Sequence, residues 1–157
     1  AGMCNYRDII KEQFDLDMDN IPGSGAAGGL GTALMVFLNG TLKSGIETVL
    51  DLVDFDEHLK DVDIVVTGEG ATDWQSVFGK VMQGVGVHCK KHHIPAVAIV
   101  GSMGSGAEDI FDYGIESIIT TVNNIMPLSD ALNHAEELYL GAARRMFRLL
   151  KAGMQMR

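Results

Sequence analysis

Residues 59–157 alternate short apolar runs with helical segments, and this alternation restricts the fold more than any other feature of the sequence. The runs at residues 62–67, 96–100 and 117–121 are rich in β-branched side chains, which is typical of parallel strands buried on both faces. Helical patterns occupy residues 79–92 and 107–113, and a final helix is predicted to begin near Pro127 and Ser129. The pattern predicts βαβ units, and therefore an α/β fold with a parallel sheet and flanking helices, a Rossmann-like three-layer arrangement.

The first third of the chain has a different pattern of apolar residues. Apolar residues at helical spacing predict a helix at residues 5–16, and residues 45–53 form a second short helical pattern. Residues 32–38 are apolar on all sides, which predicts a buried helix. We therefore expect residues 1–58 to be a helical, glycine-rich segment of a second domain or interdomain region, and residues 59–157 to be the α/β domain.

The composition of the chain limits the kinds of molecule that it is expected to bind. The chain has 157 residues, a formal net charge of −9 and a pI near 4.8. An acidic surface repels nucleic acid and anionic membranes, so neither is an expected partner. The apolar runs are too short to cross a bilayer. The 2 cysteines, Cys4 and Cys89, show no disulfide or zinc spacing, which indicates a reducing, cytoplasmic setting.

Parallel sheets bind ligands beyond the carboxyl ends of their strands, so we expect the site in the loops that start at Gly68, Gly101 and Val122. Glu69 and Asp73 lie in the first of these segments. A carboxylate there would hold Mg²⁺ or accept a proton from a substrate hydroxyl.

A structural role competes with this one. Thr72 and Gln75 have the spacing of a capping box, and Asp73 is also a good helix cap. Glu69, between two glycines, has no evident structural role.

Residues 23–28 match the pattern G-x-G-x-x-G of dinucleotide sites. A helix and a polar turn precede the pattern instead of a strand, which disfavours NAD binding. Glycines allow backbone N–H groups to approach an anion at the start of the next helix. They also permit a tight turn and close helix packing, and the sequence leaves these two interpretations open.

Gly79 and Lys80 stand at the start of a predicted helix, where a lysine can reach a phosphate. The segment is not a Walker A loop, because Trp74 replaces its first glycine and Val81 its Ser or Thr. A solvated helix start is the structural alternative.

Near the end of that helix, His88, Cys89, His92 and His93 cluster. His88 and His92 share a helix face and have zinc-ligand spacing. Histidines are also favoured at a helix carboxyl end by the helix dipole, and we favour this structural interpretation.

Several segments, taken together and in order, resemble the glycerate kinase family. They are residues 25–31, 42–50, 66–70, 94–97 and 113–115, with Asp73, Gln75, Gly79 and Lys80. The resemblance covers nearly the whole chain. It implies an enzyme of two α/β domains that uses ATP and Mg²⁺ to phosphorylate D-glycerate, commonly at the 2-hydroxyl, in the cleft between the domains.

The resemblance also implies that individual residues lie at the cleft, and for these we expect the following roles. Asp73 would be a base or Mg²⁺ ligand, Glu69 a metal or substrate contact, and Lys80 a phosphate contact. The remaining expected substrate or nucleotide contacts are Gly68, Gly70, Gln75 and Gly79 in the cleft, with Gly25, Gly28 and Gly29 as a second wall.

Two residues and the length depart from the family pattern. Ala71 stands where the family usually has arginine, and Met82 where it usually has proline. Family members are more than twice as long, so we expect a carboxyl-terminal portion that lacks the amino-terminal half and is inactive alone. The alternatives are a non-catalytic folded remnant that needs a partner half and, more weakly, a nicotinamide-dependent oxidoreductase. An uncovered interdomain face would also favour self-association.

Overall fold

A computed structural model of the chain describes residues 2–77 and 79–156. The contacts divide it into two compact units, one ending at Ser44 and the other beginning at Gly45. The sequence had suggested a division at residues 58/59. Residues 45–58 instead belong to the second unit, because Ile46, Leu50 and Phe55 pack in its core.

The first unit contains two helices, α1 (Gly2–Phe14) and α2 (Ala26–Leu38). The helix expected at residues 5–16 is present as α1, and Asp15, at φ 55°, follows its end. The expectation that residues 32–38 form a buried helix is wrong in one respect: the segment is helical, but Leu38 is 72% exposed. Within this unit α1 packs against α2, and one neighbouring helix can cover only one side of another.

The second unit alternates helices and strands as the sequence predicted. In chain order its elements are α3 (Gly45–Leu52), α4 (Phe55–His58), β1 (Val65–Thr72), α5 (Val81–Lys91), β2 (Ala96–Met103), β3 (Ile115–Thr120), α6 (Leu128–Asn133) and α7 (Ala135–Met154). Short 3-10 helices occupy Leu59–Asp61, Trp74–Val77 and Ala107–Tyr113. The last of these confirms the short helix expected at residues 107–113.

The three strands form one parallel sheet in the order β1-β2-β3, which confirms the predicted α/β class. The strand ends differ from the prediction. β1 and β2 stay paired as far as Thr72 and Met103, so Gly68, Glu69 and Gly101 lie inside strands and do not begin loops. Continued backbone pairing between neighbours outweighs the low strand propensity of glycine.

Helices cover both faces of the sheet. On one face, Ala96, Ala98 and Val100 of β2 pack with Met82 and Val85 of α5. On the other face, the partners are Val97 and Ile99 of β2 and Ala142 and Met146 of α7. This is the expected three-layer arrangement.

The single final helix of the prediction is wrong, because the segment forms two helices. His134, at φ −109° and ψ 20°, separates α6 from α7. Of the predicted apolar face, Leu138, Ala142 and Met146 are buried, whereas Leu132, Ala135 and Leu149 are exposed. The middle of α7 packs on β2 and β3, and the residues at either side of it lie away from that contact. None of the described helices is long and apolar enough to span a membrane.

Candidate active site

The candidate site lies in the second unit, where the carboxyl ends of the parallel strands meet a cavity of about 670 Å³. Strands, the segment after β3 and the last two helices all contribute to its wall. The lining residues include Val66, Gly68, Glu69, Gly70, Ile99, Gly101, Ser102, Thr121, Val122, Leu128, Leu132 and Tyr139. The cavity is therefore where an α/β sheet is expected to bind a ligand.

Close approach of β1 and β2 explains two of the glycines in this wall. A Cβ atom on Gly68 would lie 2.1 Å from the carbonyl oxygen of Ile99. A Cβ atom on Gly101 would lie 2.2 Å from the carbonyl oxygen of Gly70. Both distances are far below van der Waals contact, so these two glycines are required by strand packing. Gly68, predicted as a binding residue, thus has a structural role as well.

Hydrogen bonds within the chain hold the turn after β1. Asp73 Oδ1 accepts a hydrogen bond from the N–H of Gln75 at 2.8 Å, so Asp73 caps the following 3-10 helix. The capping box expected between Thr72 and Gln75 is not what forms. The Thr72 hydroxyl instead donates to Ser76 Oγ at 3.0 Å, and both side chains are completely buried.

The turn is also tied to the segment that follows β2. The N–H of Gly104 donates to the carbonyl oxygen of Thr72 at 2.7 Å. The N–H of Trp74 donates to the carbonyl oxygen of Ser105 at 3.0 Å. These bonds on either side of Asp73 fix its position at the carboxyl edge of the sheet.

Gly79 and Lys80 precede α5 directly. Gly79 has φ 74°, a left-handed conformation that favours glycine, and its N–H donates to Gln83 Oε1 at 2.6 Å. Lys80 is the extended residue at the amino end of α5, where the helix dipole favours anions. Among the described residues, neither Lys80 nor Glu69 forms a side-chain hydrogen bond or ion pair.

The sequence left open whether the glycine run of the first unit serves close packing or leaves the backbone accessible, and the run contains glycines of both kinds. Gly29, at φ 90°, packs against Met3 and Tyr6, and a Cβ atom on it would lie 3.2 Å from the Met3 side chain. Gly28, at φ 69°, and Gly25 would place a Cβ atom within 4 Å of nothing in the described structure. The run begins after α1 and continues into the start of α2, where Ala27, Gly28 and Gly29 have non-helical backbone angles. No strand precedes it, so it lacks the context of a dinucleotide site.

The histidine cluster on α5 forms ion pairs and has no zinc-site geometry. His88 Nδ1 lies 2.5 Å from Asp56 Oδ1, and His88 Nε2 lies 3.1 Å from Glu47 Oε2. Lys91 Nζ donates to Asp56 Oδ2 at 2.9 Å, and His92 Nε2 lies 3.1 Å from the same oxygen. Within residues 2–77 and 79–156, no group of three or more His, Cys, Asp or Glu side chains is arranged so that it could hold a metal ion.

The pKa values in this cluster follow from its contacts. Hydrogen bonds from Lys91, His88 and His92 lower the pKa of Asp56 below its ordinary value. Burial lowers the pKa of His88, but hydrogen bonds to Asp56 and Glu47 outweigh it, so the net shift is upward. Burial raises the pKa of Cys89 to about 11, which keeps its thiol protonated and disfavours metal binding.

Sequence reasoning missed several residues that line the cavity. Thr121 ends the predicted strand and directly follows β3, so its position at the carboxyl edge was accessible from the strand pattern. Ser102 directly follows Gly101, where the sequence predicted a loop of the site, although the structure places it inside β2. Leu132 and Tyr139 gave no such signal, because they line the cavity only through the packing of α6 and α7 against this edge.

Comparison with known proteins finds matches over nearly the whole chain. The model of the glycerate kinase family matches residues 1–151. A glycerate kinase of Halalkalibacterium halodurans is 41% identical over 144 residues, which are 92% of this chain and 38% of that protein. A glycerate 2-kinase of Escherichia coli is 38% identical over 154 residues, 98% of this chain and 40% of that protein.

A solved structure agrees with these relatives. The crystal structure of a glycerate kinase 2 from Salmonella typhimurium LT2 matches with a TM-score of 0.69 and 35% sequence identity. The match covers 98% of this chain and 39% of that structure. The chain thus spans about two fifths of the length of the proteins that it matches.

Proposed function

The chain belongs to the glycerate kinase family, and from this we propose that it supplies the carboxyl-terminal portion of an enzyme that phosphorylates D-glycerate with ATP. The product is proposed to be 2-phosphoglycerate, since the Escherichia coli relative is named a glycerate 2-kinase. Phosphoryl transfer requires mainly positioning and charge neutralisation. The observation that supports this function best is the open carboxyl edge, where Glu69 and Lys80 remain unpaired among the described residues.

Asp73 is the proposed catalytic carboxylate. Its Oδ1 is engaged by the Gln75 N–H, and its second oxygen has no hydrogen bond to a described residue. That oxygen would accept the proton of the glycerate hydroxyl, or else ligate a metal ion. Carboxylate oxygens are the ligands that Mg²⁺ prefers, so Asp73 and Glu69 fit this ion, which would neutralise phosphate charge.

Lys80 and the backbone before α5 are the proposed phosphate contacts. An ammonium at the positive end of a helix adds to the field of the exposed N–H groups. Gly70, Gln75 and Gly79 are proposed substrate or nucleotide contacts by family resemblance, and so are Gly25, Gly28 and Gly29 in the first unit.

The direct test is an assay of this chain and of the longest product of its gene, with D-glycerate and Mg-ATP, followed by NMR detection of phosphoglycerate. Intact-mass measurement of the product in its native source identifies the protein to assay. We expect phosphoglycerate from a product of the relatives' length and none from the 157-residue chain alone. A full-length product that binds both substrates and makes no phosphoglycerate would refute the proposal.

A second candidate is a non-catalytic subunit that needs a partner half. Ala71 favours it, because the family usually places an arginine there and a charge-assisted contact is lost. Equilibrium dialysis together with the ATP-coupled glycerate assay separates the two candidates, since a remnant would bind ATP and form no phosphoglycerate. For either candidate we propose a cytoplasmic location, where Cys4 and Cys89 remain free thiols. We also propose self-association when the rest of the protein is absent, which sedimentation velocity would detect.

A further inference from the structure

The cavity at the carboxyl edge has a floor made of backbone. Val66, Gly68 and Gly70 alternate along one face of β1, and Ile99 and Gly101 of β2 lie beside them in register. Towards the amino ends of the strands, Val97 and Ile99 on this face pack against α7. Beyond that contact the glycines carry no side chains, so a space remains between the sheet and the last two helices.

Gly70 differs from the other two glycines of this floor. Gly68 and Gly101 are required because a Cβ atom on either would collide with a backbone oxygen. A Cβ atom on Gly70 would meet no described atom within 4 Å, and Gly70 does not have a positive φ. Strand packing therefore gives no reason for glycine at this position, whereas a ligand lying flat on the backbone would.

The walls of the cavity are mostly apolar. Leu128 and Leu132 of α6 are 75% and 67% exposed, and Tyr139 of α7 is half exposed. Ser102 and Thr121 also line the same space. The volume of about 670 Å³ lies in the range of small-molecule sites, which combine apolar walls with a few polar groups.

Charge restricts which part of a substrate fits. Among the described residues that line the cavity, none is a lysine or an arginine, and Glu69 is the one charged residue. Glycerate and a triphosphate are both anionic and gain nothing from such a wall. A neutral, flat ring gains apolar contact with the leucines and with Tyr139, and hydrogen bonds from hydroxyl groups.

We propose that this cavity binds the purine base and ribose of the phosphoryl donor, with Gly70 left bare so that the ring can lie on β1. The inference rests on the proposed function only in taking a purine nucleotide as the donor. It adds Leu132, Tyr139 and Thr121 to the residues that contact the nucleotide. The phosphates extend out of the cavity, towards the proposed phosphate contact Lys80 at the amino end of α5.

The probe is adenosine, without phosphate or Mg²⁺, titrated into the ¹⁵N-labelled 157-residue chain and followed by amide chemical shifts. We expect saturable shifts at Gly68, Gly70 and Gly101. In Gly70→Leu the new side chain would fill the ring's space, and the affinity should fall at least about tenfold, or 1.4 kcal/mol. Gly153→Leu is the matched control, because its Cβ also meets nothing within 4 Å and it lies outside the cavity.

Leu132→Asp provides a second variant that does not depend on β1. Leu132 is exposed, so folding should persist while an added carboxylate removes apolar contact and weakens adenosine binding. Absence of adenosine shifts in the unmodified chain, or an affinity in both cavity variants equal to that of the unmodified chain, would overturn the inference. So would displacement of adenosine by D-glycerate alone. This test measures adenosine binding and not phosphoglycerate formation. If the enzyme phosphorylates a different acid, the proposed function is refuted but the adenosine site is not.

Discussion

The charged residues at the two ends of α5 differ in whether they have partners within the chain. At its amino end Lys80 forms no ion pair with a described residue, and the turn before it carries Asp73. At its carboxyl end His88 and Lys91 are bound to Asp56, and the His88 side chain is only 15% exposed. Charges that stabilise the fold have partners within the chain, whereas those at the carboxyl edge of the sheet remain available to a ligand.

This contrast separates two kinds of residue that look alike in the sequence. Lysines and histidines at helix ends are consistent with either dipole complementation or ligand binding. The structure distinguishes them by whether an acidic side chain of a neighbouring helix reaches them. α3 and α4 bring Glu47 and Asp56 to one end of α5. We therefore expect substitutions at the carboxyl end of α5, the paired end, to affect stability. Substitutions at its amino end, the open end, should affect activity.

Gly68→Ala tests a residue inside β1, near the same edge of the sheet, that strand packing requires, and we expect the largest loss of stability there. The new Cβ atom would lie 2.1 Å from the Ile99 carbonyl oxygen, so the strands must separate. We expect a loss of about 3 kcal/mol in the free energy of unfolding, measured with urea. Gly70→Ala is the control and should change stability by less than about 0.5 kcal/mol. Equal losses in the two variants would contradict the close approach of β1 and β2.

Asp73→Asn separates the two roles of this residue. An asparagine Oδ1 can still accept the hydrogen bond from the Gln75 N–H, so the turn should persist. Loss of the carboxylate charge should lower kcat of the full-length enzyme about a hundredfold or more, with unchanged urea stability. Asp63→Asn makes the same charge change at an exposed site and should leave kcat unchanged. Near-normal turnover in Asp73→Asn would limit Asp73 to its capping role.

Asp56→Ala examines the paired end. It removes the acceptor of His88 and Lys91, and we expect a loss of about 1–2 kcal/mol in stability. KM for ATP and for glycerate should not change. Asp51→Ala, nearby on α3, removes a charge that forms no ion pair among the described residues and should cost less. A selective rise in KM for either substrate in Asp56→Ala would show that the paired end also serves the site.

The pH dependence of stability should carry a small contribution from His88. Its pKa is raised in the folded state above the ordinary 6.5, so its stabilisation is complete below that pH. The stabilisation is then lost as pH rises through the folded-state pKa. We expect the free energy of unfolding to decrease by less than about 1 kcal/mol between pH 6 and pH 9, as measured by urea unfolding at each pH. His88→Gln and Asp56→Ala should each flatten this decrease, and an unchanged slope would contradict the pairing.

Much of the fold could be predicted because its cause is local. Apolar runs with β-branched residues gave the three strands, and helical spacing gave α1, α3 and α5 with small errors at their ends. The predicted strand ends were wrong at Gly68 and Gly101, since glycine normally disfavours a strand and only pairing between β1 and β2 retains it there. The break at His134 escaped prediction because no glycine or proline marks it.

The candidate site was predicted only in part, because some of its residues are placed by local sequence and others by tertiary packing. A strand followed by Asp73 places a carboxylate at the sheet edge whatever the rest of the chain does, and Lys80 follows at the next helix. Leu132 and Tyr139 reach the cavity through the packing of α6 and α7, which no short sequence pattern records. The roles of Asp73, Glu69 and Lys80 themselves remain predictions for the assays above.

The sequence by itself determined the order of strands and helices, the parallel connections and the family of the chain, because these depend on residue type and spacing along the chain. Only the tertiary structure decided which glycines are required by packing and which charges are paired. Gly68 and Gly70 are two residues apart, yet one is pressed against Ile99 and the other faces open space. That difference is set by the approach of a second strand, a distance between residues far apart in the sequence.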